Sequence, residues 1–281
     1  MLKAVNGFFG KKKTNPSFKD YYLDWFNQLK NNHLPSLRRS IHDSSIAQLS
    51  TQVDIVRHHF HSYYDALDLA ASDDVTQLLY PDWRNPLEKP FLWLGDLHPY
   101  LFTNLLRSFF DDGDDEDGSE ENDTVFEKLA GDVLFSEVGE VFNRPWHIVM
   151  AWKNPSDVLM GRIEQIECGL RLMVPALGLR ARKAQGGLVE TVAGDWARRR
   201  EVAGEVVEKA LGSEMEELAA VFVDANRLRR SVLAEIIGAT SVYQAALFLE
   251  GLAQFLVGFR DPDLVSDFLT CKTPLTLTKI S

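Results

Sequence analysis

Apolar residues recur at three- and four-residue spacing through most of this chain, and this period limits the folds that it can adopt. Between Phe18 and Leu29 the aromatic and aliphatic residues fall on one face of a helix. A longer apolar stripe from Ile46 to Leu78 predicts a second helix, which ends before Pro81. No stretch has a sustained period of two. The sequence therefore predicts an all-α fold, a single multi-helix bundle of about eight or nine helices.

Prolines, capping residues and glycines give the expected helix boundaries. The first helix is expected to end near Pro35 or shortly after it. Asn85 and Pro86 precede Glu88 in a capping-box pattern, and Ser213–Glu216 repeats this pattern. The glycines expected at helix ends are Gly186, Gly187, Gly212 and Gly238.

Composition divides the chain into a helical domain, residues 17–270, with three unlike segments. Residues 1–16 are rich in Lys, Gly and Asn and predict a flexible basic arm, and residues 271–281 form a C-terminal tail. The net charge is −11, but residues 111–123 hold nine acidic residues and no basic one, so the rest of the chain is close to neutral. Their low apolar content predicts a disordered acidic loop inside the domain. Its acidic residues are Asp111, Asp112, Asp114, Asp115, Glu116, Asp117, Glu120, Glu121 and Asp123.

The cysteine content indicates a reducing compartment, and the longest apolar run indicates a core helix. The chain has two cysteines, too few for a disulfide framework, and its N-terminus lacks the pattern of a secretory signal. The longest apolar run, from Ser241 to Phe259, contains Gln244, Glu250 and Gln254. Since a central carboxylate is costly in hydrocarbon, we expect a buried core helix rather than a membrane span.

The most particular residues of the chain lie between Trp83 and Tyr100, in the stretch WRNPLEKPFLWLGDLHPY. Their order resembles a plant module, the delay-of-germination (seed dormancy) domain family, which is related to the C-terminal domain of TGA-type bZIP factors. Within that family the chain is most similar to the inaperturate-pollen branch, which has a basic N-terminus, an acidic insert and a Gly-Asp-Leu-His-Pro motif. The residues that carry the resemblance are Trp83, Pro86, Glu88, Phe91, Leu92, Trp93, Gly95 and Pro99.

The motif departs from the other branches of the family at three positions. In the TGA and dormancy branches it reads Gly-Gly-aromatic-Arg-Pro-Ser, whereas this chain has Asp96 for the second glycine, His98 for the arginine and Tyr100 for the serine. Functions that those branches perform through the arginine are therefore not expected here. The dormancy branch binds haem through histidines, one of them in its C-terminal region. This chain has no histidine after His147, so no cofactor is expected.

The resemblance implies a non-enzymatic adaptor that binds other proteins, membrane-associated or signalling ones in developing pollen. It would mark or hold plasma-membrane domains where exine is not deposited, so that apertures form. The expected location is the cytoplasm and the periphery of the plasma membrane. The FFGKKK stretch of the arm could support peripheral membrane association, but a solubilising tail is slightly favoured, because three lysines alone bind a membrane only marginally. An alternative is a nuclear regulatory module in transcription or phosphatase control. Direct DNA binding is not expected, because no basic region with leucine heptads precedes the domain. Whether the chain forms homo-oligomers stays open.

A rigid aromatic corner within residues 83–100 is the candidate protein-interaction surface, because such corners lose little entropy on binding. Arg84, Lys89, Asp96 and His98 are expected at the surface, whereas the Trp83 side chain could equally fill the core. The candidate residues are Trp83, Arg84, Lys89, Asp96, His98 and Tyr100.

No catalytic, metal-binding or cofactor-binding residue is predicted. The chain has no nucleophile, phosphate-loop or zinc-hydrolase signature. His58 and His61 could share a helix face, but the sequence offers no further ligands there, and a packing role is favoured over a metal site. Clustered arginines could form a basic patch, but pairing with Glu201, Glu205 and Glu208 on an exposed helix is favoured. These arginines are Arg198, Arg199, Arg200, Arg227, Arg229 and Arg230.

Overall fold

The computed structural model describes residues 17–110, 150–199 and 204–270. Nine α-helices lie wholly within these residues, and residues 150–152 are helical as well. The predicted all-α class is confirmed. The helices are α1 (Phe18–Gln28), α2 (Leu34–Asp43), α3 (Ile46–Ala71), α4 (Val75–Leu79), α5 (Tyr100–Arg107), α6 (Asp157–Arg199), α7 (Gly204–Ala239), α8 (Val242–Gly258) and α9 (Pro262–Thr270). Between α4 and α5 lie a 3₁₀ turn (Lys89–Phe91) and two short strands, β1 (Leu92–Trp93) and β2 (Asp96–Leu97).

The first helix begins where the sequence predicts but does not end there. The Ser17 hydroxyl accepts a hydrogen bond from the Asp20 amide at 3.3 Å, which caps α1. The expected end near Pro35 was wrong, because a π-helical turn (Leu29–His33) leads directly into α2 and the helical chain continues to Asp43. Pro35 lies in the first turn of α2, directly after the π-helical turn. The side chains that α1 buries are Phe18, Tyr22, Trp25 and Phe26.

The stripe from Ile46 to Leu78 belongs to two helices rather than one. The α3 helix starts with a capping box, in which Ser45 Oγ accepts from the Gln48 amide and the Gln48 side chain accepts from the Ser45 amide. It ends at Ala71, and Asp74 then caps the short α4. The separate cap makes two helices possible where periodicity suggested one. Ile46, at the start of the stripe, is exposed.

The two longest helices, α6 and α7, pack against each other in antiparallel orientation. Arg162 near the start of α6 pairs with Glu235 near the end of α7, and Arg180 pairs with Glu217 and Asp224. Three of the four glycines predicted at helix ends lie inside helices instead. A glycine inside a helix costs only about 1 kcal/mol relative to alanine, which packing over so many turns offsets. The expected capping box at 213–216 was wrong for the same reason. Inside the helices lie Gly186, Gly187, Gly212 and Ser213, whereas Gly238 does lie at the end of α7.

The α8 helix occupies the middle of the bundle and packs against α2, α3, α5 and α7. Eight of its 17 residues are buried, and all eight are apolar. No single helix within the described residues is long and apolar enough to cross a membrane; α8 and α9 reach that length only as a pair bent by 45°. The buried residues of α8 are Ala245, Ala246, Leu247, Phe248, Leu249, Leu252, Ala253 and Leu256.

Candidate functional site

The predicted corner, residues 83–100, is built around a β-hairpin. Strands β1 and β2 pair antiparallel, and Leu94 and Gly95 form the turn with φ values of 46° and 81°. A two-residue turn with both φ values positive matches the natural twist of hairpin strands. A Cβ atom on Gly95 would lie 2.3 Å from the carbonyl oxygen of Leu78, so the approach to α4 requires glycine here.

Arg229 of α7 fastens this hairpin to the bundle. Its side chain is fully buried, and its Nε donates a hydrogen bond to the carbonyl oxygen of Leu97 at 2.7 Å. Nη2 donates to the carbonyl oxygens of Trp93 and Asp96, the latter at 3.2 Å. Nη1 donates to Oδ1 of Asn226 at 2.8 Å, and the guanidinium carbon lies 5.5 Å from the centre of the Trp93 ring. One side chain therefore fixes the position of both strands.

Arg84 and Asp96 form a buried ion pair beneath the hairpin. Nη2 of Arg84 lies 2.5 Å from Oδ1 of Asp96 and donates to the Tyr63 hydroxyl at 2.8 Å. The guanidinium carbon lies 4.7 Å from the centre of the Tyr22 ring. The prediction that Arg84 and Asp96 lie at the surface was wrong, since they are only 4% and 1% exposed. The chain buries both charges because each neutralises the other and the tyrosines of α1 and α3 cover them.

Glu88 is the second buried carboxylate of the corner. It accepts a hydrogen bond from the Asn85 amide at 2.8 Å and pairs with Arg84 at 3.6 Å and Arg260 at 3.3 Å. The Asn85 side chain in turn accepts from the Glu88 amide at 3.0 Å. The predicted capping-box contacts thus form, but in the turn that leads into the 3₁₀ turn and not at the start of an α-helix. Arg260 also donates to the carbonyl oxygen of Trp83 at 2.7 Å, which joins the end of α8 to this turn.

Burial holds the neighbouring titratable groups of the corner neutral. It raises the pKa of Tyr63 well above the ordinary tyrosine value and raises the pKa of Tyr22 as well. Burial and the nearby Arg229 charge lower the pKa of His98 to about 4. At neutral pH these groups therefore form hydrogen bonds without exchanging protons. Such an arrangement maintains the shape of the corner.

The outer side of the corner borders a surface groove with a volume of about 560 Å³. Residues of the hairpin and of the α4 end form one wall, and α6 and α7 form the other. We call this surface the hairpin groove. Its lining residues are Leu79, Tyr80, Pro81, Asp82, Lys89, Leu92, Leu94, Gly95, Ala181, Gln185 and Leu218. The groove is the concave surface at which this corner could contact another molecule.

The six candidate interaction residues do not form one surface. Lys89 is exposed and lines the hairpin groove, as expected of a surface residue. His98 and Tyr100 are half-buried, with their ring centres 5.2 Å apart and the rings stacked. Trp83 lies in the core, 5.2 Å from the Phe18 ring. Of the six, Lys89 is the residue most open to a partner, and Trp83, Arg84 and Asp96 support the corner from within.

The histidines considered as metal ligands have packing partners. His58 shares a hydrogen bond with the carbonyl oxygen of Asp54 at 2.9 Å. Its neighbour His59 bonds the Trp25 carbonyl oxygen at 3.0 Å and stacks on the Trp25 ring, while burial and the adjacent His33 lower its pKa to about 4. Over residues 17–110, 150–199 and 204–270, no group of three or more His, Cys, Asp or Glu side chains could hold a metal ion.

Within the described residues, the ion pairs of the arginine cluster are with aspartates. Arg198 and Arg199 pair with Asp195, and Arg230 pairs with Asp65 and Asp68 of α3. Arg229, predicted on an exposed helix, is buried. Sequence reasoning missed it as a site residue, although its position on the apolar stripe of α7 was a usable signal. That stripe comprises Phe222, Ala225, Asn226, Arg229, Val232, Leu233 and Ile236.

Several predictions fall on residues outside the described ranges. These are the basic arm at residues 1–16, the acidic loop at residues 111–123, Arg200 with Glu201, and the tail at residues 271–281. They stay predictions.

Comparison with known proteins places the chain in a family. Residues 33–108 match the family model described as DOG1, seed dormancy control. The chain is 47% identical over 285 residues to Protein INAPERTURATE POLLEN1 of Arabidopsis thaliana, covering 95% of this chain and 98% of that protein. The chain belongs to the INAPERTURATE POLLEN1 family.

Other relatives agree with this placement. The INAPERTURATE POLLEN 1 homolog of Oryza sativa subsp. japonica is 32% identical over 262 residues, covering 90% of this chain and 89% of that protein. Transcription factor TGA2.1 of the same organism is 30% identical over 88 residues, only 31% of this chain. The INAPERTURATE POLLEN1 relatives therefore match at least 90% of this chain, whereas the TGA factor matches about a third of it. The resemblance inferred from the 83–100 motif is confirmed.

Proposed function

We propose that this protein is a non-enzymatic adaptor in pollen aperture formation. It marks or holds plasma-membrane domains where exine is not deposited, and it does so by binding other proteins. The observation that carries the proposal is its 47% identity to Protein INAPERTURATE POLLEN1 over 95% of the chain. A shared function is far better supported by a match of this extent than by a match over a single motif.

The buried and half-buried charges of the corner agree with a binding role. Arg84, Glu88, Asp96, Arg229 and Arg260 each contact a partner within the described residues, and their contacts fix the backbone of the hairpin. A fixed backbone gives a surface that loses little conformational entropy when a partner binds. The partners proposed are membrane-associated or signalling proteins of developing pollen, and the proposed location is the cytoplasm and the plasma-membrane periphery.

Rescue of Arabidopsis plants that lack INAPERTURATE POLLEN1 tests the function. Expression of this chain in their microspores is expected to restore apertures, scored by exine staining. A Lys89→Glu version tests whether the exposed side of the corner takes part, and Lys30→Glu is its control, because Lys30 is an exposed lysine of the π-helical turn and does not line the hairpin groove. Pollen that stays without apertures, despite normal accumulation of the unaltered protein, would contradict the proposal.

Localisation distinguishes this function from a nuclear regulatory role. The observation that favours the nuclear role is the partial match to Transcription factor TGA2.1. A fluorescent fusion is expected at restricted zones of the microspore periphery. Versions that lack residues 1–16 or residues 111–123 then show which segment directs it there. A signal confined to the nucleus would favour a regulator of transcription or phosphatases.

A further inference from the structure

The last helix of the described chain exposes an apolar face. Among the described residues none of α9 is buried, although Leu264, Val265, Phe268 and Leu269 fall at the spacing of one helix face. A helix of nine residues is marginal in water by itself, because its nucleation is unfavourable. The α9 helix therefore needs a surface that covers its apolar side.

The charge of α9 limits what that surface can be. Asp261 precedes the helix, Asp263 and Asp267 lie within it beside the apolar face, and no basic residue stands between Asp261 and Thr270. Neither Asp263 nor Asp267 forms an ion pair with another described residue, whereas Asp261 caps the helix by accepting from the amides of Asp263 and Leu264. Three carboxylates disfavour an anionic membrane and favour an apolar surface with a basic edge.

The hairpin groove has these properties. Leu79, Leu92 and Leu94 give it an apolar wall, and its volume is about 560 Å³. Exposed Lys89 on the lining forms no ion pair with a described residue, and the one lining carboxylate, Asp82, is already paired with Lys19 at 3.1 Å. The groove thus complements α9 in both hydrophobicity and charge.

The position of α9 favours insertion into a second copy of the chain. The turn before α9 is fixed beside the corner, since Asn85 donates to the Phe259 carbonyl oxygen at 2.7 Å and Arg260 donates to that of Trp83. The start of α9 and the groove therefore both border the corner, and a two-fold axis can bring two such patches together reciprocally. A stable dimer buries about 1,200–2,000 Å² in total, and two equal contacts each need to supply only half of this.

We propose that the protein forms a symmetric dimer in which α9 of each copy lies in the hairpin groove of the other. Phe268 and Leu264 enter between the leucines of the groove, and the carboxylates of α9 approach Lys89. The dimer presents two corners on one assembly, so an adaptor of this kind would bind its partners in pairs.

The test is the oligomeric state of the full chain, measured by light scattering after size exclusion and by sedimentation equilibrium. The unaltered protein is expected at twice the chain mass of 31.8 kDa. Phe268→Asp in the helix and Tyr80→Asp in the groove should each weaken dimerisation at least tenfold. Both side chains are exposed, so circular dichroism should show unchanged folding. Ile46→Asp is the matched control, because Ile46 is an exposed apolar residue at the start of α3.

A mixture of the two variants separates reciprocal insertion from other contacts. The helix of the Tyr80→Asp chain can still enter the groove of the Phe268→Asp chain, so the mixture should form heterodimers more strongly than either variant dimerises alone. A monomeric unaltered protein would overturn the proposal, and so would a dimer insensitive to Tyr80→Asp. Monomers that float with anionic vesicles unless Phe268 is changed would assign α9 to a membrane and overturn it too.

Discussion

Replacement of Arg229 by methionine should remove the fastening between the hairpin and α7 while leaving a side chain of similar length. The carbonyl oxygens of Trp93, Asp96 and Leu97 and the Asn226 side chain all lose this donor. Each buried polar group without a partner costs about 1–3 kcal/mol. The apolar replacement recovers part of this, because a guanidinium no longer has to be desolvated. We expect the free energy of unfolding to fall by about 3–5 kcal/mol, the range found when a buried charged partner is removed.

Urea denaturation at pH 7, followed by circular dichroism and by tryptophan fluorescence, measures this loss. Arg227→Met is the matched control, because Arg227 lies on the same helix with an exposed side chain paired only with Asp224. It should change the free energy of unfolding by less than about 1 kcal/mol. Arg229→Lys should recover little of the loss, since one ammonium group cannot reach the acceptors that a planar guanidinium bonds. If Arg229→Met costs no more than Arg227→Met, the hairpin is held by other contacts and the reasoning fails.

Three further changes test other parts of the fold. Gly95→Ala should lower the free energy of unfolding by at least about 1–3 kcal/mol, because alanine would have to adopt a φ of 81° and its Cβ would lie 2.3 Å from the Leu78 carbonyl oxygen. Thermal unfolding measures this loss, and an unchanged melting temperature would contradict the turn geometry. Leu67→Ala, at a buried position of α3, should cost about 2–5 kcal/mol in urea denaturation, whereas Leu69→Ala, two residues later and exposed, should stay within about 0.5 kcal/mol; equal losses would refute the packing. Stability should decline as pH falls from 6.5 to about 4, because the unfolded state binds a proton at His59 that the folded state, with its lowered pKa, resists. Urea titrations at several pH values measure this decline, and His59→Gln should reduce it relative to the unaltered protein; an identical pH dependence of the two proteins would show that His59 is not responsible.

Much of the secondary structure could be predicted because helical periodicity is local. The face of α1 that carries Phe18, Tyr22, Trp25 and Phe26 is evident from their spacing, and these side chains are buried. The interior glycines were misread as helix ends because the cost of a glycine in a helix is small beside the packing of a long helix. Pro35 was misread as a helix end because the cost of a proline depends on its position within a helical turn. Breaks such as the one between α3 and α4 depend on a single capping residue, Asp74.

The candidate site was only partly predictable, because its residues are joined across long separations in sequence. The motif between Trp83 and Tyr100 identified the right segment. Charged residues such as Arg84 and Asp96 usually lie at the surface, and only the arrangement of α1 and α3 around them explains their burial. Arg229 lies on α7, more than a hundred residues from the hairpin carbonyl oxygens that it bonds.

By itself, the sequence determined the helical class, the apolar faces of the helices and the family, since these depend on neighbours within one or two turns and on residues in a fixed order. The tertiary structure alone decided which charges are buried, where the hairpin groove opens and that the apolar face of α9 is left uncovered. The physical reason is that burial is a property of surfaces brought together from distant parts of the chain. A charge is tolerated inside only when folding delivers its partner.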